Sequence, residues 1–210
     1  MAKIGEVALA NGGVLFFDEF PHFGKQILES LREPLEDYKI NISRVNSKVS
    51  YDTKFLFAAA MNPCPCGNAF SKNNVCTCSD KEIAKYKNVI SGPILDRIDI
   101  YCAMGEVNDA DVPSYSSKQM SAMVLNAFKN QIERGQNELN GKLNDGDIAN
   151  FCILDSDATE IINKAISSYN LSQRGINKTL KVARTIADLR DAKTISKVDI
   201  IESLSYRMKR

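Results

Sequence analysis

The chain lacks long apolar runs, a large net charge and a secretory leader, and each absence excludes a class of protein. No apolar stretch approaches the roughly 18–20 residues that a membrane span needs. Residues 1–6 have no signal-peptide core, so we expect a cytoplasmic protein without a membrane partner. The formal net charge of +1 provides no bulk field that recruits nucleic acid, and any such binding must come from local patches.

Length and composition fit a globular protein. The 210 residues suffice for one sizeable domain or two small ones. Apolar residues make up 44% of the chain and charged residues 25%, a balance that allows a buried core.

The first half of the chain has the pattern of an α/β fold. Continuously apolar stretches at 14–17 and 54–62 predict two parallel strands that are buried on both faces. Between them, helical spacing predicts one amphipathic helix at 24–36. Alternating residues on either side of 44–47 predict a β-hairpin. This order of elements predicts a three-layer α/β sheet.

The second half has a helical pattern. Asn, Asp, Pro and Ser cluster at 105–117, which predicts a domain boundary between an α/β part at 1–107 and a helical part at 108–210. Four apolar stripes predict a four-helix subdomain. Ser172 is a predicted N-cap, and the residues from Ser196 to Asp199 predict a capping box.

Two adjacent carboxylates, Asp18 and Glu19, follow the first predicted strand. Ligands of open α/β sheets bind at the carboxyl ends of the strands, so these side chains are candidates for a phosphate-bound Mg²⁺ site. The alternative is that both carboxylates only cap the following helix.

Four of the six cysteines lie within fifteen residues, as the pairs Cys64-Pro-Cys66 and Cys76-Thr-Cys78. Four thiolates can close a tetrahedral Zn²⁺ site, although unligated thiols and disulfides remain alternatives. The other two cysteines, Cys102 and Cys152, have apolar neighbours and are predicted to pack in the core. The single histidine, His22, is expected to be structural.

Four ordered blocks carry a family resemblance: GEVALANGGVLFFDEFP at 5–21, AAMNPCPCG at 59–67, ISGPILDRID at 90–99, and LSQRG with LKVARTIADL in 171–189. Together they resemble the magnesium chelatase-like AAA+ ATPases of the ComM/YifB branch over nearly the whole chain. The resemblance implies part of an AAA+ α/β core followed by an all-α lid.

The resemblance also implies a role for each of five residues. Asp18 and Glu19 match the Walker B pair, which holds Mg²⁺ and polarises the attacking water. Asn62 matches sensor 1, Arg97 the arginine finger and Arg174 sensor 2. The alternatives are a capping Asn, an Arg97 that pairs with a neighbouring aspartate, and an Arg174 on a solvated helix face.

A Walker A loop, G-x-x-x-x-G-K-[ST], is absent from the sequence. Both Gly-Lys pairs, at 24–25 and 141–142, lack the flanking residues. In the family this loop precedes the Walker B block, so the resemblance implies that the chain is the C-terminal part of the motor. We therefore expect that the chain alone neither binds ATP tightly nor hydrolyses it.

For the intact protein, the resemblance implies an ATP-driven homo-oligomeric ring, a hexamer, that acts on branched or single-stranded DNA in natural transformation and recombination. Arg44 and Lys48 at the hairpin tip are candidate DNA contacts, and 174–210 holds ten basic and four acidic residues. The alternatives are the motor subunit of a metal chelatase and a non-catalytic adaptor that binds DNA or partner subunits.

Overall fold

The computed structural model describes residues 4–44, 47–108 and 110–207, with the backbone alone for Arg44 and Ser47. Two compact units divide the chain, Met1–Ile98 and Asp99–Arg210. The first unit combines strands with helices and the second is mainly helical, which agrees with the predicted α/β class followed by an all-α part. The first unit ends at Ile98, whereas the sequence suggested a boundary at residue 107. Across the described residues, no helix has both the length and the apolar character needed to cross a membrane.

The first unit has one parallel and one antiparallel strand pair. Its elements are α1 (Glu6–Leu9), β1 (Val14–Phe17), α2 (Gly24–Ser30), α3 (Arg32–Asp37), β2 (Lys39–Arg44), β3 (Ser47–Asp52), β4 (Leu56–Ala59), α4 (Asp80–Lys87) and α5 (Gly92–Leu95), with 3-10 helices at Phe20–Phe23 and Asn68–Phe70. β1 and β4 run parallel, with Phe17 opposite Ala59. β2 and β3 pair antiparallel, with Ile42 opposite Val49, which confirms the predicted hairpin.

The parallel strands are buried on one face only, so the prediction of burial on both faces is wrong. In β1, Leu15 and Phe17 are buried, whereas Val14 and Phe16 are 59% and 60% exposed. Successive side chains of a strand point to opposite faces. The core of this unit packs on the Leu15–Phe17 face, and its buried members are Leu15, Phe17, Phe20, Leu28, Leu31, Phe55, Ile90 and Ile94.

The predicted single helix at 24–36 is two helices, α2 and α3, which meet at Leu31. Pro34 explains the break, because proline has no N–H for the carbonyl four residues earlier and its ring clashes with that carbonyl. Proline is accepted in the first turn of α3, where no intrahelical partner is needed.

The second unit contains one helix more than predicted. Its elements are α6 (Ser117–Glu133), α7 (Asp145–Phe151), α8 (Ser156–Tyr169), α9 (Gln173–Leu189) and α10 (Lys197–Ser205), with a 3-10 helix at Asn140–Lys142. The four-helix prediction missed α7, whose seven residues are too few for a clear apolar stripe. Asn144 starts this helix by accepting a hydrogen bond from the Asp147 amide at 3.0 Å.

Capping residues begin two helices as predicted. Ser172 Oγ accepts from the Gly175 amide at 3.1 Å, and the Ser196 amide donates to the Asp199 carboxylate at 2.8 Å. The core of the second unit consists of Leu143, Ile148, Cys152, Ala158, Ile162, Ala183, Ala187, Ile195 and Ile200.

The two remaining cysteines differ in burial. Cys152 is buried in the core of the second unit, which confirms the prediction for this residue. Cys102 is exposed, so the prediction of core packing is wrong there. It lies in a stretch without regular secondary structure, where apolar sequence neighbours do not define a buried face.

Candidate functional site

The carboxyl ends of β1 and β4 form one polar edge. The Ala60 amide donates to the Phe17 carbonyl at 2.8 Å, and the Phe20 amide donates to the Ala60 carbonyl at 3.0 Å. These bonds continue the strand pairing past both strand ends. They bring Asp18 and Glu19, which follow β1, close to the segment that leads from β4 to Asn62.

The turn after β1 has an unusual backbone. Glu19 has φ +50°, a left-handed conformation that costs a non-glycine residue roughly 1–2 kcal/mol. Its amide donates to Asp18 Oδ1 at 2.9 Å, and its Oε2 lies 3.5 Å from His22 Nδ1. Glu19 precedes the 3-10 helix Phe20–Phe23 without a side-chain capping bond. Helix capping therefore does not explain this carboxylate.

A cluster of aromatic side chains packs next to the turn after β1. Phe17 packs against Phe20, Phe23 and Phe57 with ring centroids 5.7, 4.5 and 5.8 Å apart. The pairs with Phe20 and Phe23 are edge-to-face, and such pairs add about 0.5–1.5 kcal/mol each beyond the area that they bury. This packing offsets the backbone strain at Glu19.

Tyr86, in the last turn of α4, is a residue that sequence reasoning missed. The Asn62 backbone amide acts on the Tyr86 hydroxyl and lowers its pKa, against the larger effect of burial. Its ring lies edge-on to His22, with centroids 6.0 Å apart. Burial, with smaller contributions from the charges of Glu19 and Cys64, raises the pKa of Tyr86, so the hydroxyl stays protonated at neutral pH. No local sequence pattern signals this contact, because it depends on how the chain between residues 62 and 86 closes on itself.

The four clustered cysteines converge on one point. Their Sγ atoms all lie within 4.8 Å of one another. Cys64 Sγ lies 3.4 Å from Cys66 Sγ and 3.7 Å from Cys76 Sγ, and the Cys66 and Cys76 sulfurs are 3.6 Å apart. A tetrahedral Zn²⁺ with Zn–S bonds of about 2.3 Å requires sulfurs about 3.8 Å apart. All four cysteines are free thiols in the structure, and their donor set fits zinc.

Backbone amides influence the pKa values of two thiols in this cluster. The amide of Asn68, and then that of Thr77, donate to Cys66 and lower the pKa of its thiol to about 5. The Cys66 amide likewise donates to Cys78, but burial and the neighbouring thiols outweigh it and raise the pKa of Cys78 to about 12. N–H donors of this kind also orient the ligands of metal sites.

Arg97 is held inside the first unit. Its Nε donates to the Arg32 carbonyl at 3.0 Å and its Nη1 donates to the Pro93 carbonyl at 2.7 Å. Nε also lies 3.2 Å from Glu36 Oε2, and the Arg97 side chain is only 11% exposed. To act as an arginine finger, this side chain would have to leave these partners.

The remaining predicted residues belong to other elements of the chain. Arg174 is the second residue of α9, in the second unit, and is exposed. Lys48 is exposed near the start of β3, and the side chain of Arg44 lies outside the described residues. The structure thus brings together Asp18, Glu19 and Asn62, while the cysteines form a second cluster on the loop after Asn62.

Comparison with known proteins assigns the family. A family model described as magnesium chelatase, subunit ChlI, matches residues 1–112, and a model of the ChlI C-terminal region matches residues 114–207. The chain belongs to the magnesium chelatase ChlI family. This membership confirms the resemblance that the sequence blocks indicated.

Proteins with similar sequences come from several bacteria. The chain is 38% identical to the uncharacterized protein YifB of Escherichia coli over 97% of its length, and 37% identical to the competence protein ComM of Haemophilus influenzae over 98%. YifB of Salmonella typhimurium is 36% identical over 97%. The aligned parts are 40%, 41% and 40% of these relatives, so the chain spans about two fifths of their length.

Proposed function

We propose that the chain works, within a protein of its relatives' length, as part of an ATP-driven ring motor that acts on DNA. The observation that carries this proposal is the shared edge of β1 and β4, where Asp18 and Glu19 lie near the segment that ends at Asn62. Carboxylates and an amide at this position of a parallel sheet are suited to a Mg²⁺-bound nucleotide.

Each residue has a defined task in this proposal. Bound Mg²⁺ neutralises charge on the nucleotide phosphates. Asp18 holds the ion, Glu19 polarises the attacking water, and Asn62 orients that water through its amide. Arg97 and Arg174 supply positive charge to the developing anion, Arg97 after release from Glu36.

Glu19→Gln tests the proposal in a protein of the relatives' length. Because Glu19 acts on water and not on nucleotide binding, we expect ATP hydrolysis to fall about a hundredfold or more while MgATP affinity is retained. Glu160→Gln is the matched control, since Glu160 is an exposed residue of α8 that pairs with Lys164. Unchanged hydrolysis in Glu19→Gln would overturn the assignment.

The 210-residue chain alone should bind nucleotide weakly. Its sequence contains no loop of the G-x-x-x-x-G-K-[ST] type, whose amides and lysine make most of the phosphate contacts. Calorimetric titration with MgATP checks this expectation. A micromolar dissociation constant would contradict it.

DNA is the proposed substrate, and a porphyrin is the second candidate. One similar relative is named a competence protein, and the exposed Lys48 near the hairpin tip offers a phosphate contact. The family description, magnesium chelatase, favours the alternative of a motor that drives Mg²⁺ insertion. ATP-dependent unwinding of branched DNA supports the first function and ATP-dependent porphyrin metallation the second. A protein without ATPase activity that still binds DNA would indicate the adaptor.

The four-cysteine cluster is the proposed site of one structural Zn²⁺, held by Cys64, Cys66, Cys76 and Cys78. Metal analysis of protein purified without chelator should give about one equivalent, because three of the sulfurs lie 3.4, 3.7 and 3.6 Å apart and the fourth lies within 4.8 Å of them. Cys64→Ser should lose the metal, whereas the exposed Cys102→Ser should retain it. Less than about half an equivalent in the unsubstituted protein would contradict the site.

A further inference from the structure

We propose that α3 couples the hairpin β2–β3 to Arg97, with Glu33 as the residue that holds the hairpin and Glu36 as the residue that positions Arg97. The inference deepens the function proposed above and rests on it in one respect, the roles of the hairpin and of Arg97 in a DNA-dependent ATPase. Its new content is that one short helix of the first unit makes contacts with both.

One side of α3 holds Arg97. The Arg32 carbonyl, at the start of the helix, accepts a hydrogen bond from Arg97 Nε at 3.0 Å. Glu36 lies four residues later on the same side of the helix, and its Oε2 is 3.2 Å from Arg97 Nε. The third partner, the Pro93 carbonyl, belongs to α5. A shift of α3 relative to α5 therefore changes two of the contacts that hold this guanidinium.

The hairpin is hydrogen-bonded to the same helix. Asn41 Nδ2, on β2, donates to Glu33 Oε1 at 2.8 Å. Thr53 directly follows β3, and its Oγ1 donates to the Pro34 carbonyl at 3.2 Å. Thr53 is only 1% exposed, so this second bond is shielded from water. The hairpin therefore contacts α3 both from β2 and from the residue after β3.

The connection between the helix and the hairpin is short. α3 ends at Asp37 and β2 begins at Lys39, so Tyr38 alone joins them. The Tyr38 carbonyl accepts a hydrogen bond from the Thr53 amide at 2.8 Å, which ties the end of β3 to this connection. With one connecting residue and three hydrogen bonds at its base, the hairpin cannot move at this end without moving α3.

These contacts give a route from DNA to the nucleotide in the proposed motor. Lys48, near the hairpin tip, is the candidate phosphate contact, and Arg97 reaches a nucleotide only after it leaves Glu36. A load on the hairpin that shifts α3 changes the Glu36–Arg97 contact, and so changes how readily Arg97 is released. By reciprocity, release of Arg97 changes the affinity of the hairpin for DNA by the same factor.

Asn41→Ala in the 210-residue chain tests the coupling, because it removes the hydrogen bond to Glu33 and leaves the partners of Arg97 unsubstituted. Ser50→Ala is the matched control, since Ser50 is exposed and lies opposite Asn41 on β3. Hydrogen exchange of the Arg97 Nε–H group, followed by NMR, measures how firmly the guanidinium is held. We expect Asn41→Ala to accelerate this exchange at least about twofold, within the effect of one net hydrogen bond, and Ser50→Ala to leave it unchanged.

Glu36→Gln measures the direct loss of the positioning contact. The substitution removes the charge that pairs with Arg97 and keeps a good helix former in α3. We expect the Arg97 Nε–H exchange to accelerate roughly tenfold, near the lower end for a hydrogen bond to a charged group, because Glu36 is partly exposed. The Arg97 signal is identified by its absence in Arg97→Lys. Unchanged exchange in Glu36→Gln overturns the positioning role of Glu36.

The outcomes separate this inference from the proposed function. Unchanged Arg97 exchange in Asn41→Ala overturns the coupling and leaves the proposed motor intact. Equal acceleration of the backbone amides throughout the first unit also overturns it, because Asn41 would then stabilise the fold without acting on Arg97.

A second measurement uses a protein of the relatives' length. Asn41→Ala should reduce the stimulation of ATP hydrolysis by DNA at least about twofold, by the same loss of one hydrogen bond, whereas Ser50→Ala should not. Full stimulation in Asn41→Ala overturns the route from DNA to the nucleotide. A wild-type protein whose ATP hydrolysis DNA does not stimulate counts against the proposed function, and the exchange experiment still decides whether α3 couples the hairpin to Arg97.

Discussion

At the residue scale, one buried carboxylate organises the second unit. Asp188 is fully buried and accepts hydrogen bonds from both terminal nitrogens of Arg134, at 2.7 and 2.9 Å. Asn140 Nδ2 donates to it at 2.8 Å, and Arg184 Nη2 lies 3.0 Å away. Two guanidinium groups therefore share one negative charge. Arg184 is itself fully buried, and its other bonds hold the loop after α9.

We expect Asp188→Asn to destabilise the chain by about 3–5 kcal/mol, because it leaves two cations near the core without their counter-charge. Asp157→Asn, an exposed change in the first turn of α8, should cost no more than about 0.5–1 kcal/mol. Urea denaturation followed by circular dichroism compares the two. A loss below about 1 kcal/mol in Asp188→Asn would show that the network contributes little.

The second prediction at the residue scale concerns Asp199 and the dependence of stability on pH. Burial opposes its charge, but hydrogen bonds from Arg190 and Ser196 outweigh burial and lower the pKa of this carboxyl below its ordinary value. A pKa that is lower in the folded state adds stability above the unfolded pKa of about 3.9, and this stability is lost as the pH falls through the folded pKa. The stability difference between wild type and Asp199→Asn should therefore be largest above about pH 5 and shrink towards pH 3. Urea midpoints at several pH values measure it, and a constant difference would contradict the assignment.

At the scale of elements, local chemistry determines what the sequence can predict. Ser172 and the box at Ser196 were predictable, because a cap is a contact between residues three apart. The hairpin was predictable from alternation alone. The break at Leu31 and the exposed face of β1 were not predicted, because one depends on a single proline and the other on what packs against the sheet. For the same reason the Tyr86 contact could not be predicted, whereas the adjacent carboxylates could.

Replacing two glycines by alanine is expected to change the stability of the chain in opposite directions. Gly175 lies in the first turn of α9, where an added Cβ would meet Arg207 and Ser172 at ordinary contact distances of 3.4 and 3.5 Å. Gly175→Ala should therefore stabilise the chain by about 0.5–1 kcal/mol. Gly67 has φ +83° in the cysteine loop, so Gly67→Ala should destabilise it by roughly 1–2 kcal/mol. Thermal denaturation of both variants measures these changes in stability. A loss of stability in Gly175→Ala would mean that the Arg207 side chain cannot adjust to the added methyl group.

At the scale of the whole molecule, two separate cores stabilise the two units. The core of the first unit lies between Leu15 and Ile94, and that of the second between Leu143 and Ile200. The α/β class and the helical second half followed from the sequence because each half has its own hydrophobic period. The division at Ile98 did not follow from the sequence. A change in amino-acid composition marks a loop, but it does not show with which unit the residues around that loop pack.

The two cores lead to a prediction for the isolated second unit. Residues 99–210 contain every member of their core, the Asp188 network and the capping boxes of α6 and α10, so no stabilising contact named for this unit is lost when it is made alone. We expect this segment to give a helical circular dichroism spectrum and to unfold cooperatively in urea. Asp188→Asn should destabilise it by the same amount as in the full chain, because distant sites contribute independently. A segment without cooperative unfolding would show that the helical unit depends on residues 1–98 for its stability.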